Sequence, residues 1–273
     1  MNRIDQAFKR LISKKETALI PFLTAGDPSM EITRELVIEM DRQGADIVEL
    51  GLPFSDPLAD GPTIQAASFR ALQAGMNPGK FFELTASIRR QSDIPLVLMG
   101  YYNPVLRYGL EKFASDAASA GIDGTIIPDL PLEEAAPWIK ACNANGLANI
   151  LLVAPNTPDS RIKKIVKASK GFIYYVSVLG ITGARTSLPA HLSEGLEKVK
   201  QFTKKPVAVG FGISRPEQVK NLSSSADGII VGSAIVKRIQ EKIMNQDAMT
   251  SEDKGKSVKA IGEFVGSLKK ATQ

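Results

Sequence analysis

The sequence predicts an α/β protein: a single (β/α)8 barrel, or TIM barrel, that spans residues 1–273 and carries an extra N-terminal helix. The first observation behind this prediction is a series of eight short apolar runs, each bounded by turn residues, which suits strands covered on both faces. The second is a helical stretch after each run. The third is that no linker or low-complexity segment divides the chain, so we expect one domain.

The predicted order of elements begins with a helix at about residues 3–13. The turn Asp27-Pro28-Ser29 starts a second helix that runs to about Gln43, and the loop after the second strand leads into a helix at about residues 63–74. A last helix, at about residues 255–271, is expected to pack on the outside. The predicted strands are residues 18–23, 46–50, 94–99, 124–127, 148–153, 172–176, 206–209 and 227–231.

Composition indicates a reducing compartment. A single cysteine, Cys142, excludes an internal disulfide. The N-terminal segment is amphipathic and charged throughout, without the uninterrupted apolar core of a signal peptide. No run approaches the roughly 18 apolar residues that a membrane span needs. We therefore expect a cytoplasmic protein.

Charge and histidine content narrow the chemistry. The net charge is +5, but the lysines are dispersed and lack an aromatic-basic stripe, which argues against nucleic acid and fits a small anionic substrate. His191 is the one histidine, so neither a histidine-based triad nor a multi-histidine metal site is the default expectation. Proton transfer is then expected from carboxylates, tyrosine, lysine or His191, and no metal site is predicted.

The stretch from the second strand into its loop holds the strongest catalytic candidates. Glu49 lies near the carboxyl end of an apolar strand, where a buried acid costs several kcal/mol unless it is paired or neutralised. The following loop carries three prolines, two glycines and the further acids Asp56 and Asp60, a composition that restricts the backbone. We interpret Glu49 and Asp60 as an acid/base pair at the mouth of the barrel.

Two loops near the end of the chain favour phosphate binding. Gly210 and Gly212 follow the seventh strand, and Gly232 and Ser233 follow the eighth, where barrels often hold a phosphate on backbone N–H groups at a helix start. Gly183 in the sixth loop is a candidate for a third amide. The alternative is that these glycines only turn the chain.

Simpler structural interpretations exist for several candidates. Glu49 is alternatively a structural acid held by a buried hydrogen bond, and Asp60 a turn or cap residue before glycine. Tyr174 faces either the barrel interior or the helix layer, and strand alternation alone does not decide which. Cys142, in a helix without a partner, is interpreted as a packing residue.

Five segments closely resemble the tryptophan synthase alpha chain family over essentially the whole chain and in the right order. They are PFLTAGDP at residues 21–28, VELGLPFSDPLADGPTIQAA at 48–67, GITGAR at 180–185, GFGIS at 210–214 and GSAIV at 232–236. The resemblance implies retro-aldol cleavage of indole-3-glycerol phosphate to indole and glyceraldehyde 3-phosphate. It implies no cofactor in this chain, with pyridoxal phosphate only in a beta partner.

The resemblance also implies roles for individual residues. Glu49 would move protons at the reacting carbons, Asp60 would stabilise positive charge on the indole nitrogen, and Tyr174 would lie beside the substrate. Residues 179–189 resemble the family's mobile lid, in which Thr182 would meet Asp60 on closure. The implied indole pocket is Phe22, Met99, Ile126, Phe211 and Ile230, and the implied phosphate contacts are Gly183, Gly212, Gly232 and Ser233.

The resemblance further implies an alpha2-beta2 heterotetramer that passes indole to a beta chain. The candidate partner face comprises Pro53, Phe54, Asp56, Asn103, Pro104 and Pro131. Arg185 stands where some relatives carry an acid, which leaves lid dynamics open. Three alternatives remain: a stand-alone indole-3-glycerol phosphate lyase, a sugar-phosphate isomerase or epimerase with the same phosphate loops, and a barrel that only activates its partner.

Overall fold

A closed barrel of parallel strands organises the chain. The computed structural model describes residues 2–177, 192–210, 212–244 and 250–273. Neighbouring strands pair in sequence order, and β8 closes on β1. The strands are β1 (Ala18–Thr24), β2 (Val48–Gly51), β3 (Leu96–Met99), β4 (Gly124–Ile126), β5 (Ala148–Val153), β6 (Ile173–Val176), β7 (Val207–Gly210) and β8 (Gly228–Val231). The barrel prediction is therefore confirmed.

Helices surround the barrel and connect its strands. None of the helices in the described ranges is long and apolar enough to cross a membrane. The helices are α1 (Arg3–Lys14), α2 (Met30–Arg42), α3 (Pro62–Gln73), α4 (Pro78–Arg89), α5 (Tyr102–Tyr108), α6 (Leu110–Ser119), α7 (Ala136–Ala144), α8 (Asp159–Ala168), α9 (Leu192–Lys200), α10 (Pro216–Leu222), α11 (Ser233–Ile239) with a π-helical continuation (Gln240–Met244), and α12 (Ser251–Lys270).

The sequence analysis placed one helix between β2 and β3 and one between β3 and β4, and the structure corrects both predictions. Two helices are present in each connection. The chain leaves α3 through Gly75, at φ +82°, and α4 begins behind Asn77, whose side chain accepts a hydrogen bond from the Lys80 amide. Gly109, at φ +96°, separates α5 from α6. Glycine adopts these positive φ values without the penalty that other residues incur, so each acts as a helix break.

Strand alternation assigns the two faces of the barrel wall. Ile20, Val97, Ile150 and Ala208 pack together inside the barrel, whereas their chain neighbours pack against the helices. Tyr174 belongs to the interior set, and Tyr175 to the layer between strands and helices. The structure thus settles the orientation that the sequence left open.

Helix α1 closes the lower end of the barrel. Its apolar face, which includes Ile4, Phe8 and Leu11, is buried in the interior cluster, and the Phe8 and Phe172 rings lie 5.7 Å apart between centroids. On its polar side, Arg3 contacts Asp123 at 3.1 Å and Arg10 contacts Asp46 at 3.3 Å. Helix α1 thus fills this end, and the cleft described below lies at the carboxyl ends of the strands.

A repeated hydrogen bond fixes the register at that lower end. Asp46, Asp123, Ser169 and Asp227 each lie just before an even-numbered strand. Each accepts a hydrogen bond from the backbone N–H of a residue in the preceding odd-numbered strand, at distances of 2.9, 2.9, 3.2 and 2.8 Å respectively. These side chains therefore accept hydrogen bonds from backbone N–H groups that the pairing between strands leaves unsatisfied. The bonds hold successive strands at a fixed offset along the barrel axis.

Candidate active site

A cleft at the carboxyl ends of the strands brings together most of the predicted site residues. Strands β1, β2, β3, β6 and β8 and the loops that follow β2, β7 and β8 supply its walls. Two apolar residues that the sequence analysis did not single out, Ile64 and Ile213, also lie there. The lining consists of Phe22, Glu49, Asp60, Ile64, Met99, Tyr174, Gly212, Ile213, Ile230, Gly232 and Ser233.

Some predicted residues do not line this cleft. Ile126 is fully buried in the barrel interior, beside Met99 in the β3–β4 register, and is not part of the cleft lining. Phe211, Thr182 and Gly183, together with the predicted lid at residues 179–189, lie outside the described residues. The roles predicted for these four stay predictions.

Glu49 is a buried carboxyl with an unusual proton affinity. Its side chain points into the cleft and the residue is 1% exposed. Among the described residues, no group hydrogen-bonds its Oε2. Burial, and secondly the charge of Asp60, raise the pKa of Glu49 to about 8. At neutral pH the Glu49 carboxyl is therefore mostly protonated and can donate a proton. Because its pKa lies close to neutral pH, the carboxylate that remains can also accept a proton again.

Asp60 lies in the same cleft as Glu49, but its carboxylate accepts a hydrogen bond and its pKa is lower. Burial raises the pKa of Asp60 to about 6, while a hydrogen bond from the Tyr101 hydroxyl lowers it. That hydroxyl donates to Asp60 Oδ2 at 2.9 Å, and the Gln65 amide donates to the Asp60 backbone oxygen at 2.8 Å. Asp60 is consequently mostly ionised at neutral pH, when Glu49 is mostly protonated.

Tyr101 is a neighbour of Asp60 that the sequence analysis did not single out. It lies two residues after the end of β3 and is 5% exposed. Its position after a strand's carboxyl end was the available signal, because site residues of barrels concentrate there. The contact with Asp60 joins residues 41 positions apart in sequence, so no local pattern shows it.

Tyr174 lies between the acids and the glycine loops. It is 4% exposed, and burial followed by the charges of Glu49 and Asp60 raise the pKa of its hydroxyl well above the usual value. A side chain at position 210 would overlap this hydroxyl and its ring. The glycine at the end of β7 is therefore required by close packing against Tyr174, in addition to any role in the loop that follows.

The glycine loops lie across the cleft from β2. Gly212 has φ +80°, a conformation that favours glycine, and Ser233 is the first residue of α11, as the sequence predicted. Gly232 packs with Phe22, which would be 3.4 Å from an added Cβ. Backbone N–H groups at a helix start, next to a glycine turn, form an arrangement suited to an anion.

The buried Glu49 leads to a prediction about stability. Its pKa is raised from 4.5 to about 8 on folding, so the folded state binds more protons than the unfolded state between these values. The free energy of unfolding therefore falls as pH rises through this window, and the loss is complete above about pH 8. Glu49→Gln should remove this contribution.

Urea unfolding at several pH values measures the effect. We expect Glu49→Gln to gain stability relative to the wild type as pH rises from 5 to 8, by on the order of 3 kcal/mol. The difference between the two proteins reports Glu49 together with its interaction with Asp60, because the other titrating groups are common to both. A difference that stays constant across this range would contradict the raised pKa.

The fold and the site together define a class of protein. A (β/α)8 barrel with two buried carboxyls of different pKa in a cleft at the carboxyl ends of its strands has the arrangement of an acid-base enzyme. A family model described as tryptophan synthase alpha chain matches residues 8–272. The chain belongs to the tryptophan synthase alpha chain family and is a lyase of tryptophan biosynthesis that acts on indole-3-glycerol phosphate.

Individual relatives agree with this family. The tryptophan synthase alpha chain of Geotalea uraniireducens is 49% identical over 241 residues, which cover 88% of this chain and 90% of the relative. That of Petrotoga mobilis is 46% identical over 269 residues, with 98% and 99% covered. A solved tryptophan synthase alpha subunit from Legionella pneumophila superposes with a TM-score of 0.89 at 35% identity, with 100% and 98% covered.

Proposed function

We propose that this chain cleaves indole-3-glycerol phosphate to indole and glyceraldehyde 3-phosphate with Glu49 and Asp60 as its catalytic pair. The observation that carries the proposal is their opposite protonation at neutral pH within one cleft, with the pKa of Glu49 near 8 and that of Asp60 near 6. Two carboxyls whose environments separate their pKa values are suited to different catalytic roles.

The reaction needs two proton movements that one carboxyl can perform. The Glu49 carboxylic acid donates its proton to the ring carbon that carries the glycerol chain, and the nitrogen lone pair supplies the electrons, which leaves positive charge on nitrogen. The resulting carboxylate then removes the proton of the neighbouring side-chain hydroxyl. An aldehyde forms, the carbon–carbon bond breaks, and its electron pair restores the aromatic ring, so that Glu49 ends protonated.

Asp60 is proposed to stabilise the charge that appears between these steps. A fixed carboxylate beside the indole nitrogen lowers the energy of the cationic intermediate most strongly in a site that excludes water. Tyr101 holds Asp60 Oδ2, and we propose that the other oxygen, Oδ1, is the one that meets the indole nitrogen. Tyr174 is proposed to lie against the substrate between the two acids and the phosphate loops.

The remaining lining suits the two ends of the substrate. Phe22, Ile64, Met99 and Ile230 form an apolar wall that we assign to the indole ring. Gly212, Gly232 and Ser233, with Gly183 of the predicted lid, are assigned to the phosphate. The proton transfers above use only protein carboxyls, so we propose that this chain works without a cofactor and that pyridoxal phosphate belongs to a beta partner.

We also propose that the chain assembles with a beta chain. A solved relative from Pyrococcus furiosus, 39% identical with a TM-score of 0.83 and covering 93% of this chain, is described as a mutually activating tryptophan synthase a2b2 complex. In this chain, two of the exposed large apolar residues lie in the segments that carry the predicted partner face. Leu58 is 86% exposed and Leu106 is 53% exposed. Phe54 lies in a surface groove with Leu58 and Asn103.

An assay of indole release tests the proposal and separates its alternatives. Purified protein should release indole from indole-3-glycerol phosphate, and added beta chain should raise the rate. High turnover that a beta chain leaves unchanged would favour the stand-alone lyase. Turnover of a ribulose phosphate without indole release would favour the isomerase or epimerase. We further propose, from the single barrel and the single cysteine, one domain in a cytoplasmic protein.

A further inference from the structure

Helix α3 is an addition to the ring of helices around the barrel. Of the two helices between β2 and β3, α4 contacts α2 and α6 and so belongs to this outer ring. Helix α3 instead contacts β1 and α11, so it crosses from the end of β2 toward the β8 side of the cleft. Its buried residues recur at helical spacing and form one stripe, which comprises Ile64, Ala67, Ser68 and Ala71.

Ile64, at the start of this stripe, belongs to a small apolar cluster. The cluster comprises Phe22, Ile64, Ala67 and Val236, with Met99 packed against it. Phe22, Ile64 and Met99 lie in the apolar wall that we assign to the indole ring. The other members of this wall are on strands, where the pairing of the barrel fixes them, whereas Ile64 is on a helix. The position of Ile64 therefore depends on what holds α3.

A buried ion pair holds α3 to the loop that follows β1. Arg70, in the third turn of α3, donates to both carboxylate oxygens of Asp27, from Nε at 2.9 Å and from Nη2 at 2.8 Å. The Asp27 side chain is 2% exposed and the Arg70 side chain 19%. The loop is itself fixed, because the Gly26 N–H donates to the hydroxyl of Thr33 in α2 at 3.0 Å. Two parallel hydrogen bonds thus tie α3 to a loop that α2 keeps in place.

We propose that Asp27 and Arg70 are positioning residues for the cleavage reaction, because their ion pair fixes α3 so that Ile64 closes the apolar wall against the indole ring. The assignment of this wall to indole rests on the proposed function, whereas the placing of Ile64 does not. A buried ion pair adds little net stability relative to apolar packing, since burying two charges offsets their attraction. A bidentate arginine contact does fix geometry, since its two hydrogen bonds set both distance and angle.

The composition of the stripe explains why α3 needs this anchor. Ala67, Ser68 and Ala71 bury little apolar surface, so they hold the helix more weakly than leucine or isoleucine would. The one large aromatic residue of α3, Phe69, is 62% exposed and adds little to the packing. The stripe presses α3 against the barrel without a specific direction. The Asp27–Arg70 contact supplies that direction.

The first test measures the placing of Ile64 in the isolated full-length chain. Arg70→Gln removes the charge and the bidentate contact. With isoleucine δ1-methyl NMR, we expect the Ile64 signal to move, while the signal of Ile213, which lines the cleft from the loop after β7, stays in place. The dissociation constant of added indole should rise about tenfold, as expected when a hydrophobic pocket loses part of its lining. Inorganic phosphate, the second probe, should bind within about twofold of wild type, because backbone N–H groups outside α3 hold it.

Arg89→Gln is the matched control for a general loss of stability. Arg89 also forms a buried ion pair, with Asp123 at 3.0 Å, but at the lower end of the barrel, and its side chain is 14% exposed. This variant should lower the urea midpoint and leave the Ile64 signal and the indole affinity unchanged. An Ile64 signal that stays in place in Arg70→Gln overturns the proposal. The same movement in both variants also overturns it, since a general loosening would then explain the result.

The second test uses indole release. Arg70→Gln should raise KM about tenfold and change kcat less than about threefold, because Glu49 lies on a strand and Tyr101 holds Asp60. Arg70→Lys keeps the charge but not the fork of two hydrogen bonds, so it should remain folded and give an intermediate KM. A fall in kcat with unchanged KM overturns the positioning role. If the Ile64 signal moves but the wild type releases no indole, the proposed function fails while the placing of Ile64 stands.

Discussion

Glu49→Gln is expected to lower the kcat for indole release about a thousandfold. Glutamine matches the shape of the protonated carboxyl, and can neither donate the proton to the ring carbon nor accept one from the hydroxyl. General acid-base catalysis by one group typically contributes about 10²- to 10⁴-fold, and Glu49 is asked to act as both acid and base. Because the native residue is buried and mostly protonated at neutral pH, the fold should survive the replacement.

The measurement is a steady-state indole assay combined with a urea unfolding curve of the same preparation. Glu83→Gln, the same replacement on the exposed face of α4, is the control and should retain activity. Near-normal turnover in Glu49→Gln would refute its assignment as the proton-transfer group. Lost activity together with a lost unfolding transition would instead assign Glu49 a structural role.

Asp60→Asn is expected to lower kcat about a hundredfold. The amide still accepts the Tyr101 hydrogen bond, but it lacks the negative charge that would stabilise the developing cation on the indole nitrogen. Removing one preorganised electrostatic group commonly costs about 10²- to 10³-fold in kcat. The free energy of unfolding at neutral pH should not fall, because the neutral amide preserves the side-chain volume and the accepted hydrogen bond and removes the cost of burying the charge.

Steady-state kinetics and chemical denaturation check the two halves of this prediction. Asp93→Asn, at an exposed aspartate near the lower end of the barrel, is the matched control. A rise in KM with unchanged kcat would contradict the assigned role, since it would show that Asp60 stabilises the bound substrate and the transition state equally.

The strands were predictable because each is a brief apolar run that needs cover on both faces. β5 was predicted at the residues where it is found, and the other strands differ at their ends by one or two residues. The helices around β3 were incompletely predicted, since their separation depends on single glycines such as Gly109 that a helical pattern tolerates. The lower-end aspartates were not predicted as strand clamps, because each acts on a backbone far away in sequence.

The residues around the cleft also divide into those that the sequence indicates and those that only the structure brings out. Glu49 was recognisable because an acid in an apolar strand is costly without a reason, and Asp60 because prolines and glycines fix its loop. Tyr101 was missed because nothing next to it in sequence indicates a partner. Ile126 was expected in the indole pocket from resemblance, but it lies in the barrel interior outside the cleft lining.

The sequence by itself determined the barrel and singled out Glu49 and Asp60 as candidates at the carboxyl ends of its strands, since apolar periodicity and the cost of a buried charge act locally. Tertiary structure alone decided which acid is protonated, which way Tyr174 faces and how Asp60 is held. Those properties depend on burial and on contacts between distant strands, and a pKa is set by the groups that folding brings into contact.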